Sequence, residues 1–246
     1  MYGIISAVVF VWGVMIYYLS RNVIGFPPVE NAEPDGFLAI GGDLRPERLL
    51  LAYKSGIFPW YSDESRISYQ GSKILWWSPD PRFVLFPEKI HVSKSMKKVL
   101  KSGKYTVTVN TAFPQVISRC RHEVRVHQEG TWITDDMEKA YNRLHVLGYA
   151  VSVESWLTGT DILAGGLYGV MIGKAFFGES MFSTYPDASK AAFITFVGKL
   201  REIGCPLIDC QVETEHLKSL GAEFIPRKDF LKIVGVAAEA GSVDFS

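Results

Sequence analysis

Two stretches set acid and amide side chains inside apolar sequence. Ile208-Asp209-Cys210-Gln211-Val212 places a carboxylate and a carboxamide two positions apart. Phe176-Phe177-Gly178-Glu179-Ser180-Met181-Phe182-Ser183 places one carboxylate amid aromatics and methionine. Residues i and i+2 of a strand share a face, so Asp209 and Gln211 are expected to point the same way. A carboxylate in such surroundings needs a partner, because isolated burial of a charge is costly. The pattern is either a satisfied buried polar pair or a site that orients an amine. Gly130-Thr131-Trp132-Ile133 adds an aromatic just before the acidic helix start Asp135-Asp136. Upstream, Ile57-Phe58-Pro59-Trp60 follows Phe26-Pro27-Pro28 and Leu38-Ala39-Ile40-Gly41-Gly42-Asp43-Leu44. Pro fixes φ and Gly permits positive φ, so the backbone must turn there. Aromatics beside such turns are core plugs or stacking platforms.

Other chemistries fit less well. Cys120, Cys205 and Cys210 are an odd number without CxxC spacing, which suits a reducing compartment and no disulfide framework. Cys120-Arg121-His122 with His127 matches no common zinc pattern, and no metal site is expected. Cys205 and Cys210 stand in a strand-like apolar stretch where a buried thiol is the ordinary fate, although a Cys–His nucleophile stays open in principle. The 26 basic and 26 acidic residues cancel to a formal charge of +0, so any basic surface must be local. Lys94, Lys97, Lys98, Lys101 and Lys104 recur at helical spacing and give one such face, either a solvated surface or a phosphate contact.

Positioning these residues calls for mixed α and β structure. With 246 residues and 48% hydrophobic content, the chain has apolar mass for one large domain or two smaller ones. A helix runs from Arg45-Pro46 to about Ser55, with Asp43 as its cap and Gly56 as its stop. Residues 61–74 read as a polar loop. Trp76-Trp77-Ser78-Pro79-Asp80-Pro81 reads as a Pro-broken linker, which sets a domain boundary near residue 84. Beyond it, helices are expected at 92–102, 113–121, 134–147, 189–203 and 215–220. Strands are expected at 105–110, 149–156, 162–170, 174–177 and 207–212, with a frayed tail from about Gly235. That order matches an acyltransferase-like sheet that opens as a V between central strands, a fold-level analogy only. Many users of that fold hold the pyrophosphate of coenzyme A in a Gly-rich turn at a helix start. Thr184-Tyr185-Pro186-Asp187-Ala188-Ser189-Lys190 stands there instead, and Pro and Asp cannot form that cradle, which disfavours an acyl-CoA donor.

Residues 1–20 carry no charged side chain, and about 20 apolar residues span a bilayer core. A signal peptide is disfavoured, since there is neither a basic region nor a small-residue cleavage site. Residues 15–19 read instead as a β-strand leading into Phe26-Pro27-Pro28, with residues 1–14 an upstream extension. On this favoured reading no membrane contact is expected unless residues 1–20 are an anchor.

Taken together, FPP (26–28), LAIGGDL (38–44), GIFPW (56–60), WWSP (76–79) with Pro81-Arg82, GTWI (130–133), GESMFS (178–183), ASK (188–190), LIDCQ (207–211) and His216 with SLGA (219–222) and IPR (225–227) resemble the bacterial leucyl/phenylalanyl-tRNA–protein transferase family. The resemblance covers residues from about 15 to about 234, and several of these motifs are long and unusual. It implies a cytoplasmic enzyme that moves Leu or Phe, and Met less well, from aminoacyl-tRNA to proteins with N-terminal Arg or Lys, marking them for degradation. The fold it implies is α+β: a small N-terminal α/β domain over residues 15–84 and a C-terminal GNAT-like mixed α/β domain over 85–235. By motif, Asp209 and Gln211 resemble a relay in which the carboxylate polarises the amide that draws a proton from the attacking amine. Glu179 resembles a carboxylate that positions substrate amino groups. Leu167, Phe177 and Met181 match the pocket for the transferred side chain, with Leu167 where relatives often have Met. Trp60 and Trp132 match aromatics near the 3′-terminal adenosine. Thr214 stands where relatives can carry Asn. With the resemblance, Lys94, Lys97, Lys98 and Lys101 are expected to contact tRNA phosphates.

An aminoacyl ester is already activated, so no metal, ATP, coenzyme A or other cofactor is expected. The enzyme must align a neutral amine with the ester carbonyl and stabilise the developing oxyanion. A neutral amide is a poor base, so orienting the amine is the safer role for Gln211. Two competing classes are a peptidoglycan-type aminoacyl transferase and a membrane-tethered aminoacyl-tRNA binder. An intact Glu179, Asp209 and Gln211 favour an enzyme over the binder.

Overall fold

Two sheets carry the chain, which a computed structural model describes over residues 5–11, 14–62, 68, 71–122, 133–241, 243 and 245. The first sheet takes β1 (Ile5–Val11), β2 (Val14–Leu19), β3 (Phe37–Gly41), β4 (Phe58–Pro59) and β5 (Leu75–Trp77), in the order β1-β2-β3-β5-β4. Helix α1 (Pro46–Lys54) follows β3. The strand expected at residues 15–19 is β2, paired on one side with β1 and on the other with β3. Among the described residues no helix is long and apolar enough to cross a membrane.

The second sheet has seven strands. They are β6 (Arg82–Leu85), β7 (Tyr105–Val109), β8 (Ala150–Leu157), β9 (Leu163–Ile172), β10 (Ala175–Ser183), β11 (Ile208–Gln211) and β12 (Glu223–Ile225), in the order β12-β6-β11-β10-β9-β8-β7. The passage between sheets crosses residues 78–81, and residue 84 lies within β6. Six helices accompany this sheet: α2 (Lys94–Lys101), α3 (Phe113–His122), α4 (Asp135–Val146), α5 (Ala188–Glu202), α6 (Glu215–Ser219) and α7 (Arg227–Ala238). The protein is thus mixed α/β, with two sheets and seven α-helices among the described residues.

Local chemistry sets several helix starts. Ser93, Thr134 and Thr214 each accept the backbone N–H three residues on, from Met96, Met137 and Leu217, which satisfies a donor the helix itself leaves open. Packing is in two layers. Phe196, Val197 and Leu200 of α5 meet Phe176, Val153 and Leu167 on one face of the large sheet. On the other face Phe113, Val116, Met137 and Tyr141 of α3 and α4 share a core with Leu49, Tyr53 and Trp76 from the first sheet's layer.

Two expectations are corrected. The tail is not frayed from Gly235, because α7 continues to Ala238. Phe230, Val234 and Ala237 recur at helical spacing and are buried, and the Ala237 carbonyl accepts the N–H of Lys174 at 2.9 Å. Gly235 itself is exposed and open, and the helix holds through its buried stripe rather than through the small residues. The strand expected at 174–177 is β10, which runs on to Ser183. Gly178 and Ser180 have weak strand preference, but β9 pairs with β10 out to Ser183 opposite Gly165.

The strand that matters most for the site is β10. It lies parallel to β11 and pairs with it only at Phe176–Ile208 and Phe177–Asp209, after which the two strands part. On its other side Gly169 sits opposite Gly178. A Cβ at Gly169 would lie 2.3 Å from the Phe177 carbonyl oxygen and 2.5 Å from Phe176 Cζ. Gly169→Ala is therefore expected to push β9 from β10 and cost more than about 2 kcal/mol of unfolding free energy. Urea unfolding with matched m-values measures it, and a loss below about 0.5 kcal/mol would show that the strands can yield.

Candidate active site

Two bulges face each other where β10 and β11 part. In β10 the pairing with β9 steps from Gly178–Gly169 to Ser180–Tyr168, so Glu179 is the extra, unpaired residue. In β11 the pairing with β6 steps from Asp209–Val84 to Gln211–Phe83, with Cys210 skipped. Gln211 has φ of 62°, in the left-handed region that a side chain occupies only at a cost of about 1–3 kcal/mol. The N–H of Val212 closes the turn on the Cys210 carbonyl at 2.7 Å. Gln211 Nε2 then donates to Glu179 Oε1 at 2.8 Å. Since a carboxylate only accepts, this contact fixes which end of the amide faces it and leaves Oε1 of Gln211 as the acceptor offered to a ligand.

Glu179 is held from three elements. Tyr53 of α1 donates to its Oε1 at 2.8 Å and Tyr141 of α4 to its Oε2 at 3.0 Å, and the two tyrosine hydroxyls also touch each other. Burial pushes the Glu179 carboxyl up to about 7. The hydrogen bonds from Tyr53, Gln211 and Tyr141 oppose that rise, and the nearby Asp209 charge adds to it. Burial also raises both phenols well above their ordinary value, with the Glu179 charge adding, so both stay protonated donors.

Asp209 does not reach the Gln211 amide, as the shared-face expectation required. Its carboxylate is fully buried and forked onto Arg82, with Nε to Oδ1 at 2.8 Å and Nη2 to Oδ2 at 2.7 Å. Oδ1 also accepts the backbone N–H of Gln211 at 2.9 Å. The bulge is the physical reason, because it breaks the two-residue alternation on which the shared face depended. Arg82 Nη1 donates to the Gly56 carbonyl at 3.1 Å, and its guanidinium lies 4.7 Å from the ring centres of both Phe58 and Phe230. Arg82 is the partner a buried carboxylate demands. Its signal in the sequence is a lone charge opening the apolar run Arg82-Phe83-Val84-Leu85. Tyr53 and Tyr141 carried no comparable signal.

Glu179, Asp209 and Gln211 line a cavity of about 650 Å³. Leu167 and Met181 line it, facing each other in register across β9 and β10. Phe177 does not. Adjacent strand residues point to opposite faces, so Phe176 meets the cavity while Phe177 packs on Tyr53 at 5.1 Å. Trp60 lies at the edge, 39% exposed, its carbonyl accepting Trp77 Nε1 at 2.8 Å. Trp132 lies outside the described residues. Phe193, His216, Lys190 and Thr214 also line the cavity, and the first three of these lay beyond the residues singled out for the pocket. Cys210 lines it as well, but burial and the Asp209 charge drive its thiol far up, against a thiolate nucleophile. Lys94, Lys97, Lys98, Lys101 and Lys104 are all exposed, on α2 and just past its end.

The sequence aligns with proteins of one kind. Residues 84–235 match the family described as leucyl/phenylalanyl-tRNA protein transferase, and residues 42–80 match the N-terminal domain of that family. A leucyl/phenylalanyl-tRNA–protein transferase of Anaeromyxobacter sp. is 54% identical over 91% of this chain and 91% of its own. One of Stutzerimonas stutzeri is 52% identical over 90% of this chain and 95% of its own. Among solved structures, L-PGS from Bacillus licheniformis is 11% identical with a TM-score of 0.38, covering 77% of this chain and 62% of that one, too distant to bear on fold or function. The alignments make the protein an aminoacyltransferase, moving an aminoacyl group from tRNA to protein. Within that class the chain belongs to the leucyl/phenylalanyl-tRNA–protein transferase family.

The raised Glu179 carboxyl ties stability to pH. The folded state holds this proton more tightly than the unfolded chain, so the group's contribution is present below about 4.5 and is lost as pH rises through about 7. Glu179→Gln removes the titration. The difference in unfolding free energy between variant and parent should move in the variant's favour by on the order of 3 kcal/mol from pH 4.5 to pH 8. Parallel profiles would show that Glu179 does not titrate there.

Proposed function

We propose that the protein transfers Leu or Phe, and Met less well, from aminoacyl-tRNA to proteins with N-terminal Arg or Lys, and that the products are thereby marked for degradation in the cytoplasm. The observation that carries this reading is the 2.8 Å contact between Gln211 and Glu179 at the wall of an apolar cavity. In this reading the cavity takes the transferred side chain against Leu167, Met181 and Phe176, and Trp60, with Trp132, stacks the terminal adenine, worth about 1–3 kcal/mol. The neutral amine of the acceptor donates to Gln211 Oε1. Its nitrogen attacks the ester carbonyl, the carbon–nitrogen bond forms, and the bond to the ribose oxygen breaks. The amine's proton ends on that oxygen.

Glu179 holds the amide end-on and is poised to share a proton with the amine. Asp209 acts through the backbone of Gln211, holding the turn that presents the amide. Arg82, Tyr53 and Tyr141 are positioning residues. The chemistry asks for no metal or cofactor. A GNAT-like layout, with a small N-terminal unit over 15–84 and the transferase unit over 85–235, suits the parting of β10 from β11 and the change of sheet across 78–81. The three free, buried cysteines suit a reducing compartment.

Transfer of radiolabelled amino acid to peptides beginning Arg, Lys or Ala tests the reading directly. Label should reach the Arg and Lys peptides from Leu-tRNA and Phe-tRNA, with at least about tenfold less from Val-tRNA, because Cβ branching widens the side chain beside the ester. Equal transfer to the Ala peptide, or equal use of Val-tRNA, would remove the proposed specificity.

The exposed lysines of α2 are proposed to bear the tRNA body. Changing Lys97, Lys98 and Lys101 to Ala should weaken tRNA binding and flatten its salt dependence, by roughly 0.7–0.9 in log–log slope for each phosphate no longer neutralised. An unchanged slope would place the tRNA elsewhere.

A further inference from the structure

The far end of the cavity, between the start of α5 and α6, holds polar groups that the transfer chemistry does not use. Lys190, in the first turn of α5, lines the cavity with its side chain 41% exposed. His216 of α6 lines it too, and its Nε2 is buried with no hydrogen-bond partner. A buried polar atom left unpaired is unfavourable and calls for a partner from elsewhere. Burial and Lys190 both hold the imidazole toward its neutral form. Around them, Asp187 pairs loosely with Lys190 at 3.4 Å, Glu213 is engaged by Lys218 at 2.7 Å, and Glu215 is exposed.

The basic helix borders this same end on two sides. His91, just before α2, donates its backbone N–H to the Leu220 carbonyl at the close of α6, at 2.9 Å. Tyr105, just after α2, donates its hydroxyl to the Pro186 carbonyl at 2.7 Å, next to Asp187. Lys104 lies over the Tyr105 ring at 5.0 Å. The residues on either side of the lysine-bearing helix are thus bonded to the segments that carry Lys190 and His216.

We infer that Lys190 and His216 hold the phosphodiester that leads into the donor's terminal adenosine. This rests on the reading of the cavity as the site of an aminoacyl-tRNA end. Lys190 supplies the charge, and His216 a neutral hydrogen-bonding edge whose partner arrives with the ligand. The pair would register the adenosine in the cavity rather than act on the ester.

Calorimetric binding of adenosine and of the dinucleotide CpA to the full chain separates the phosphate from the base. Wild-type protein should prefer CpA by about tenfold, and this ratio should fall towards one in Lys190→Ala and His216→Ala. Lys190→Arg and His216→Gln should keep most of it, which a merely structural role would not predict. If His216→Ala does not fold, the Lys190 pair and His216→Gln decide. A wild-type ratio near one overturns the inference. So does a ratio that survives both alanine changes, or one lost equally in the conservative variants. CpA preference with no transfer from Leu-tRNA would leave this site standing and remove the proposed function. Transfer without CpA preference would do the reverse.

Discussion

The ion pair of Arg82 with Asp209 is the constraint on which the site depends. Both side chains are fully buried, and three of the five guanidinium N–H donors are engaged, two on the carboxylate and one on the Gly56 carbonyl, with the rings of Phe58 and Phe230 each 4.7 Å away. Those partners come from the first sheet's layer, the second sheet and α7. A buried pair of this kind adds little over a well-packed apolar substitute, but losing one partner leaves an uncompensated charge and costs about 3–5 kcal/mol. What it adds is position. With Asp209 clamped, its remaining capacity goes to the N–H of Gln211, and the left-handed turn there is held against its own strain.

That turn has a counterpart across the gap. β10 and β11 share two residue pairs and then separate, and each bulges at the point of parting. Regular strands would have sent Glu179 and Gln211 into a ladder or a core. The bulges free both side chains and aim them at each other at the cavity wall. A fold that opens between central strands thereby acquires a polar, hydrogen-bonded corner in an otherwise apolar space, the arrangement expected of a small-molecule site.

The corner is tuned by burial more than by charge. Glu179 sits among donors, yet burial outweighs them and lifts its carboxyl to about 7. A carboxyl poised near neutrality exchanges a proton at little cost, which suits the proposed receipt of an uncharged amine. Tyr53 and Tyr141 keep the carboxyl in place, and they come from α1, before the passage at 78–81, and α4, after it.

Sequence alone determined what is local. The helices expected from 92, 134 and 215 form close to those starts, because each is capped within its own next three residues, by Ser93, Thr134 and Thr214. Of backbone donors Asp43 reaches only the Arg45 N–H, and it does not cap the helix that follows. Most strands follow from runs of branched and aromatic residues, and Glu179, Asp209 and Gln211 stand out because polar groups in apolar runs need a reason. The family was legible in the same way, from the motifs themselves. Tertiary structure decided the rest. Arg82 meets Asp209 across 127 positions and Tyr53 meets Glu179 across 126, and no periodicity encodes such pairs. α7 is a helix because α1 and β10 give its apolar face a surface to cover. Whether Phe176 or Phe177 faces the cavity, and whether Asp209 touches the amide or the backbone of Gln211, are questions of strand register. Register is set between strands, where a single extra residue reverses every side chain beyond it.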